Sequence, residues 1–221
     1  QMCIRDRGNA YQYTFYVPHN PKGLIAKMGA EEFTARLDSI FTWSQDKLFS
    51  GGTTVDAFSG LQTYYNQGNE PCLHISWLFN EAGRPSLTQK WVRAILDEFY
   101  GTDGIHGYGY GQDEDQGQLG AWYVISSLGI FDVAGLGNIN PQFALGSPKF
   151  DKVTIQLDST YYKGKEFVIE TVNNSQTNKY AQKYMWNGEP LSSLYIPFRK
   201  VTEGGTLRVE MGSEPKDQYQ D

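Results

Sequence analysis

The sequence predicts a chain of two characters, mainly α-helical to about residue 140 and all-β beyond it. Three observations predict this. Apolar residues recur at helical spacing over Gly29–Lys47 and Ser86–Tyr100, and an apolar segment from Leu119 to Phe131 reads as a packed helix. Strict alternation replaces that spacing over Lys152–Leu157 and Glu166–Val172. An Asn187-Gly188 pair then follows a strand-like Tyr184-Met185-Trp186, the signal of a tight hairpin.

The elements follow in order. Gly8–Asn20 is aromatic-rich and ends in a turn at Pro18-His19-Asn20-Pro21. The next helix carries Phe33, Leu37, Ile40 and Phe41, and Ser50-Gly51-Gly52-Thr53-Thr54 breaks the chain after it. Phe58–Gly68 reads as loop. Gly68-Asn69-Glu70-Pro71 opens a segment of helical character, Cys72–Glu81, because proline suits the first turn of a helix. Gly83-Arg84-Pro85 joins it to a helix with the stripe Leu87, Trp91, Val92, Ile95, Leu96 and Phe99, so the two should pair antiparallel. Helices joined by loops, with polar residues at their ends, fit a helical barrel or array. A last strand is expected at Thr206–Met211, and the polar residues 213–221 read as a disordered tail.

With 221 residues and 39% apolar content the chain can build a sizeable core. Its net charge of −6 and pI near 5.1 argue against nucleic acid, which needs a basic face. No apolar run of membrane-spanning length occurs. Aromatic content is high at 14%, with 15 Tyr and 5 Trp; this suits sugar stacking, though composition alone favours ordinary packing. Residues 1–7 look foreign. Met2-Cys3-Ile4-Arg5-Asp6 back-translates to ATG-TGT-ATA-AGA-GAC, which resembles a transposase adaptor, so the segment is set aside. Cys72 then stands alone, and no disulfide framework is available.

Asp113, Glu114 and Asp115 form the densest chemical signal. They lie between a run of alternating glycines, Gly107 to Gly111, and the Leu119 helix. A solvated acidic turn capping that helix would be worth about 0.3–1 kcal/mol per charge. Three adjacent carboxylates exceed that need. In an extended loop Asp113 and Asp115 face the same way and raise each other's pKa, as a general base requires. An EF-hand is excluded, since its sixth and twelfth positions would be Gln118 and Val124. A dinucleotide loop is excluded too, because the third glycine is Gln112. Asn69-Glu70 is either a helix start stabilised by an acid or a pair of hard oxygen donors for calcium or sugar hydroxyls. His19, His74 and His106 lack zinc-type spacing, no nucleophile elbow occurs, and Cys72 reads as core.

Four blocks carry a resemblance. They are Gly8-Asn9-Ala10-Tyr11-Gln12-Tyr13-Thr14 with Val17-Pro18-His19; Gly68-Asn69-Glu70-Pro71 with His74, Asn80 and Gly83; Gln112 to Gln118 with Ala121-Trp122-Tyr123; and Gly146-Ser147-Pro148 with Phe150-Asp151-Lys152-Val153. In this order they resemble glycoside hydrolase family 92, the calcium-dependent exo-α-mannosidases. The resemblance implies the second part of an (α/α)6 catalytic barrel over 8–140 and a C-terminal β segment over 141–212. An N-terminal β-sandwich domain of the same polypeptide, and the first barrel helices, would be missing.

The resemblance also implies an inverting α-mannosidase, α-1,2-directed, secreted or periplasmic, that removes terminal mannose from glycans. Inversion needs two carboxyl groups ~6.5–9.5 Å apart. Asp113 and Asp115 would be the base side, Asn69 and Glu70 would hold calcium with Gln12 beside it, and Gln12, His74 and Glu114 would meet substrate. Two positions depart from the family pattern. Arg7 stands where the family has the Glu that acts as acid, and Arg cannot donate a proton; this chain is therefore expected to be inactive as it stands. Leu73-His74 stands where the family often has His-His. The rival reading is a non-catalytic carbohydrate-binding or structural helical domain, with the acids as a solvated face.

Overall fold

A computed structural model describes residues 8–51, 63–102 and 116–219. The chain divides into two compact units, Gln1–Ala82 with Ala94–Val124, and Gly83–Arg93 with Ile125–Asp221. The division therefore does not fall at residue 140.

The first unit opens with α1 (Ala10–Thr14), capped by Asn9, whose side-chain oxygen accepts from the amides of Tyr11 (3.0 Å) and Gln12 (3.2 Å). Next comes α2 (Pro21–Met28), with Asn20 as cap and Pro21 at the first position. The expected turn at 18–21 is thus also a helix start, because Asn caps and Pro pre-sets the first helical residue. The expected helix over 29–47 is α3 (Ala30–Gln45), with Phe33, Leu37, Ile40 and Phe41 buried.

Leu48, Phe49 and Ser50 follow with φ of 50°, 54° and 70°. Such left-handed residues cost about 1–2 kcal/mol each. Burial and hydrogen bonds offset this. Phe49 is buried and accepts from the Gln67 amide (3.0 Å), and the Ser50 hydroxyl is bonded to Thr63 Oγ1 and donates to the Tyr65 carbonyl (3.0 Å). Around this turn Phe41, Tyr65 and Phe79 form the aromatic heart of the unit, with ring centroids 4.4 Å (Phe41–Tyr65) and 5.9 Å (Phe41–Phe79) apart.

The expected helix over Cys72–Glu81 is corrected to a series of tight turns, with 3-10 pieces at Glu70–Cys72 and Ile75–Trp77. Its amides bond three residues back, for example Cys72 to Asn69, Trp77 to His74 and Ala82 to Phe79. The physical reason is burial on every side. Residues 72–80 are all buried, so no single apolar stripe selects a period of 3.6 over 3.0. No antiparallel helix pair can form from this segment. The next helix is α4 (Pro85–Glu98) and then α5 (Gln118–Ser127); both run across the division between units. The expected helix over Leu119–Phe131 stops early, and Ile130–Phe131 is a strand, β1.

The second unit holds two sheets. Strands β1, β2 (Gln142–Leu145) and β7 (Tyr195–Pro197) form a three-stranded sheet, with α6 (Phe198–Thr202) directly after β7. A five-stranded sheet has the order β3-β4-β8-β5-β6, with β3 at Lys152–Gln156, β4 at Glu166–Val172, β5 at Tyr180–Trp186, β6 at Glu189–Leu191 and β8 at Gly205–Gly212. Its β4–β8 pair is parallel and its other pairs antiparallel. Alternation places Phe167, Ile169, Leu207, Val209 and Met211 inward. The Asn187-Gly188 hairpin is present, with φ of 51° and 89°. Edge strand β3 buries no residue fully and carries a Lys152–Glu170 ion pair at 2.9 Å, which discourages pairing with another chain.

The expected disorder over 213–221 is corrected as far as residue 219. The Tyr219 hydroxyl donates to the Ala181 carbonyl (3.0 Å) and accepts from Gln89, with its ring 5.0 Å from that of Tyr184. Asp217 accepts from the Ser86 amide (3.0 Å), the Ser86 hydroxyl and Arg84 (2.7 Å). The first turn of α4 has no acid of its own, so Asp217 serves as its cap from 131 residues away. Asp217→Ala is expected to cost about 1–2 kcal/mol in urea unfolding. Asp217→Asn should lose less, because the exposed Arg84 contributes little. Equal losses in both variants would assign the effect to the ion pair.

Candidate active site

The local chemistry of α1 sets the site. Asn9 spends its side-chain oxygen on capping, and its Nδ2 donates to the Thr63 carbonyl at 2.7 Å. Gln12, fully buried, donates from Nε2 to the same carbonyl at 3.0 Å. Its Oε1 accepts from Asn69 Nδ2 at 3.1 Å. Two residues 57 apart in sequence therefore meet inside the first unit. Gly8 allows this closeness, since a Cβ there would lie 2.7 Å from Gln12 Oε1 and 3.3 Å from Asn69 Nδ2. Glu70 follows Asn69 at the start of the 3-10 turn.

His74 Nε2 bonds the Phe15 carbonyl at 3.1 Å, and its ring lies edge-on to Tyr16 at 5.6 Å. Since the partner is a carbonyl, Nε2 carries the hydrogen. Burial pushes the His74 pKa down to about 4, against a smaller upward pull from that hydrogen bond. The imidazole is neutral at pH 7 and is a hydrogen-bonding group.

A second set of bonds fixes the same turn. Trp122 donates from its indole to the Leu73 carbonyl at 2.7 Å. Tyr65 donates to Gln67, Gln67 donates to the Tyr100 hydroxyl (3.0 Å), and Tyr100 donates to the Leu119 carbonyl (3.1 Å). This buried chain ties Leu119, four residues beyond Asp115, to Gln67, two residues before Asn69. At the same junction Gln116 and Gly117 both take positive φ, 61° and 93°.

Gln12 and Asn69 are thus brought together, with Glu70 next in sequence, while His74 is held to the end of α1 through the Phe15 carbonyl. Asp113, Glu114 and Asp115 lie outside the described residues, as do Arg7 and His106. His19 is exposed on the turn before α2. Burial pushes the Cys72 thiol up to about 12, which removes it as a nucleophile. Among the described residues no three His, Cys, Asp or Glu side chains cluster as metal ligands. The carboxamide oxygens of Gln12 and Asn69 and the carboxylate of Glu70 are hard donors of the kind calcium takes, and in kind they fit that ion. Sequence reasoning missed Thr63 and the capping role of Asn9. Asn before a short aromatic helix was a readable cap signal, whereas a backbone carbonyl has no residue signature.

The family model for the glycosyl hydrolase family 92 catalytic domain matches residues 3–213. An uncharacterized secreted glycosidase of Arthroderma benhamiae is 27% identical over 209 residues, covering 92% of this chain and 23% of that protein. The GH92 alpha-mannosidase BT3965 of Bacteroides thetaiotaomicron superposes with a TM-score of 0.78 at 31% identity, covering 95% of this chain and 25% of that one. It has also been solved in complex with mannoimidazole. The GH92 inverting mannosidase BT2199 of the same organism gives 0.77 at 32% identity, covering 96% and 28%. The chain spans about a quarter of the length of these relatives. Helices precede sheets in it, as in the family's catalytic domain, and the chain belongs to glycosyl hydrolase family 92.

Proposed function

We propose that this chain supplies part of the active site of an inverting, calcium-dependent exo-α-mannosidase that removes α-1,2-linked terminal mannose from glycans. One observation carries the reading: Gln12 and Asn69 are hydrogen-bonded, and the Gln67–Tyr100–Leu119 chain holds the segment leading to Asn69 to the start of α5, next to Asp113–Asp115 in sequence. The relatives' printed activities and the mannoimidazole complex support the same substrate class. The helices would belong to the second part of an (α/α)6 barrel, completed by an N-terminal β-sandwich domain and the first barrel helices of the same polypeptide. The protein would act outside the cytoplasm, as a secreted or periplasmic enzyme.

In this reading Asp113 and Asp115 take the proton of the attacking water on one face of the sugar. An acid at position 7 protonates the leaving oxygen on the other. The C1–oxygen bond to the aglycone breaks as the bond from water forms, and the anomer inverts. Gln12, His74 and Glu114 position the mannose. Asn69 and Glu70 would hold a calcium ion, which would supply positive charge to orient the sugar hydroxyls. Arg7 cannot supply the proton, so a polypeptide with Arg at this position should lack acid catalysis.

The test is mannose release from α-1,2-mannobiose by the whole polypeptide carrying Glu at position 7, followed by NMR. The β-anomer should appear first, EDTA should abolish release, and calcium should restore it. Mannoside binding without release in calcium would favour the binding-module reading. First appearance of the α-anomer, or full activity after Asp115→Ala, would overturn the mechanism.

A further inference from the structure

We infer that the cavity between α1 and α3 is a second carbohydrate site, holding a pyranose of the same α-mannoside glycan away from the residues proposed for hydrolysis. The inference rests on the substrate class proposed above. The cavity has a volume of about 300 Å³, room for one sugar ring and its substituents. Its walls are aromatic. Tyr11 and Trp43 remain 50% and 52% exposed, and the buried Phe15 also borders the cavity. Tyr64 braces both rims, edge-on to Tyr11 at 4.9 Å and tilted against Trp43 at 4.8 Å. Large rings left open to water and fixed by one another form a prepared surface for a ligand.

The polar groups select a sugar over an aliphatic ligand. Thr14, Arg36 and Ser39 lie in the same lining. The Thr14 and Ser39 hydroxyls donate to their own helix carbonyls, at Ala10 (2.6 Å) and Ala35 (2.7 Å), so each offers lone pairs to a ligand hydroxyl. Arg36 is oriented by Glu32 through Nε and brings a fork of N–H donors. Flat apolar faces with hydroxyl acceptors and guanidinium donors beside them match the apolar face and hydroxyl edge of a pyranose.

Helix α1 connects this cavity to the candidate active site. Tyr11 lines the cavity, while the next residue, Gln12, bonds Asn69; successive helical residues point about 100° apart. Phe15 gives its ring to the cavity and its carbonyl to His74. A glycan of several mannose residues would be held through one residue while another enters the site.

The test is isothermal titration of the whole polypeptide, with Arg at position 7 so that substrate is not turned over, with α-1,2-mannotetraose in calcium and in EDTA. Binding should persist in EDTA, which separates it from the calcium-assisted site. Trp43→Ala should weaken it by about tenfold or more, as loss of a central aromatic anchor does, and Trp43→Phe should restore most of it. Trp43 is half exposed, so circular dichroism should show an intact fold in both variants. Absence of EDTA-resistant binding, or binding indifferent to Trp43→Ala, overturns the inference. Self-association that Trp43→Ala abolishes would identify a second copy as the occupant and overturn it as well. EDTA-resistant, Trp43-dependent binding, together with no mannose release by the same polypeptide carrying Glu at position 7, would leave this site standing and reject the hydrolase reading alone.

Discussion

Acidification from pH 6.5 toward 4 is expected to remove roughly 3 kcal/mol of folding stability through His74 alone. The sign follows from proton counting. Unfolded, the imidazole titrates at its ordinary 6.5; folded, burial holds it down to about 4. Between these values the unfolded chain binds a proton that the folded chain does not, so stability falls as pH falls. Above 6.5 both states are neutral and the full stability is present; below 4 both are charged and the loss is complete. The gap of 2.5 pH units (6.5 minus 4), at 1.36 kcal/mol each, sets the ceiling. Urea unfolding at pH 7.5, 6 and 5 measures it. His74→Gln keeps a donor for the Phe15 carbonyl and does not titrate, so this variant should lose most of the slope. An unchanged slope in His74→Gln would assign the titration to other groups. The consequence is that His74 stays neutral and does not shuttle protons near neutral pH.

The sequence made α3 and most of α4 legible because each buries one stripe, and one stripe has a readable period. Strands β3, β4 and β8 were legible for the matching reason. The segment from Asn69 to Ala82 was not, because burial on all sides leaves no polar face to phase the turns. Strands β1 and β7 span two and three residues and are too short for alternation to register. The tail failed differently. Its composition is polar, yet Asp217 and Tyr219 each meet specific partners 131 and 38 residues away, and composition carries no information about partners.

The candidate site shows the same division. Asn69 and Glu70 were readable as oxygen donors, and Gln12 only through the resemblance. What joins them is the Thr63 carbonyl, the Asn9 cap and the absence of a side chain at Gly8, which are backbone facts. The block Gly146-Ser147-Pro148 marked the family without showing any chemistry. The fold explains it as a structural knot in the second unit. Tyr184 donates to the Gly146 carbonyl at 2.8 Å, and a Cβ at Gly129 would strike the Pro148 nitrogen at 2.5 Å. Arg93 binds both Ser147 and Pro148.

Removing that guanidinium is expected to be the most damaging single change in the second unit, about 3–5 kcal/mol for Arg93→Ala. Arg93 is only 4% exposed, and four uncharged acceptors surround its guanidinium. Nη1 donates to the Ser147 hydroxyl (3.2 Å), the Pro148 carbonyl (2.9 Å) and Asn174 Oδ1 (3.4 Å), and Nη2 to the Ser175 carbonyl (3.4 Å). These acceptors come from two loops, one before β3 and one before β5, so the side chain fastens both to α4. Truncation leaves a cavity and two buried acceptors, the Ser147 hydroxyl and the Pro148 carbonyl, without their donor, and such acceptors lose their water as well as their partner. Arg93→Lys should recover little, because one ammonium cannot span two loops as a planar fork does. Arg93→Met fills the space without donors and should fall between wild type and Ala. Urea midpoints with an unchanged m-value give the three numbers. A cost below about 1 kcal/mol for Arg93→Ala would show that water satisfies these acceptors and that the two loops hold without the clamp.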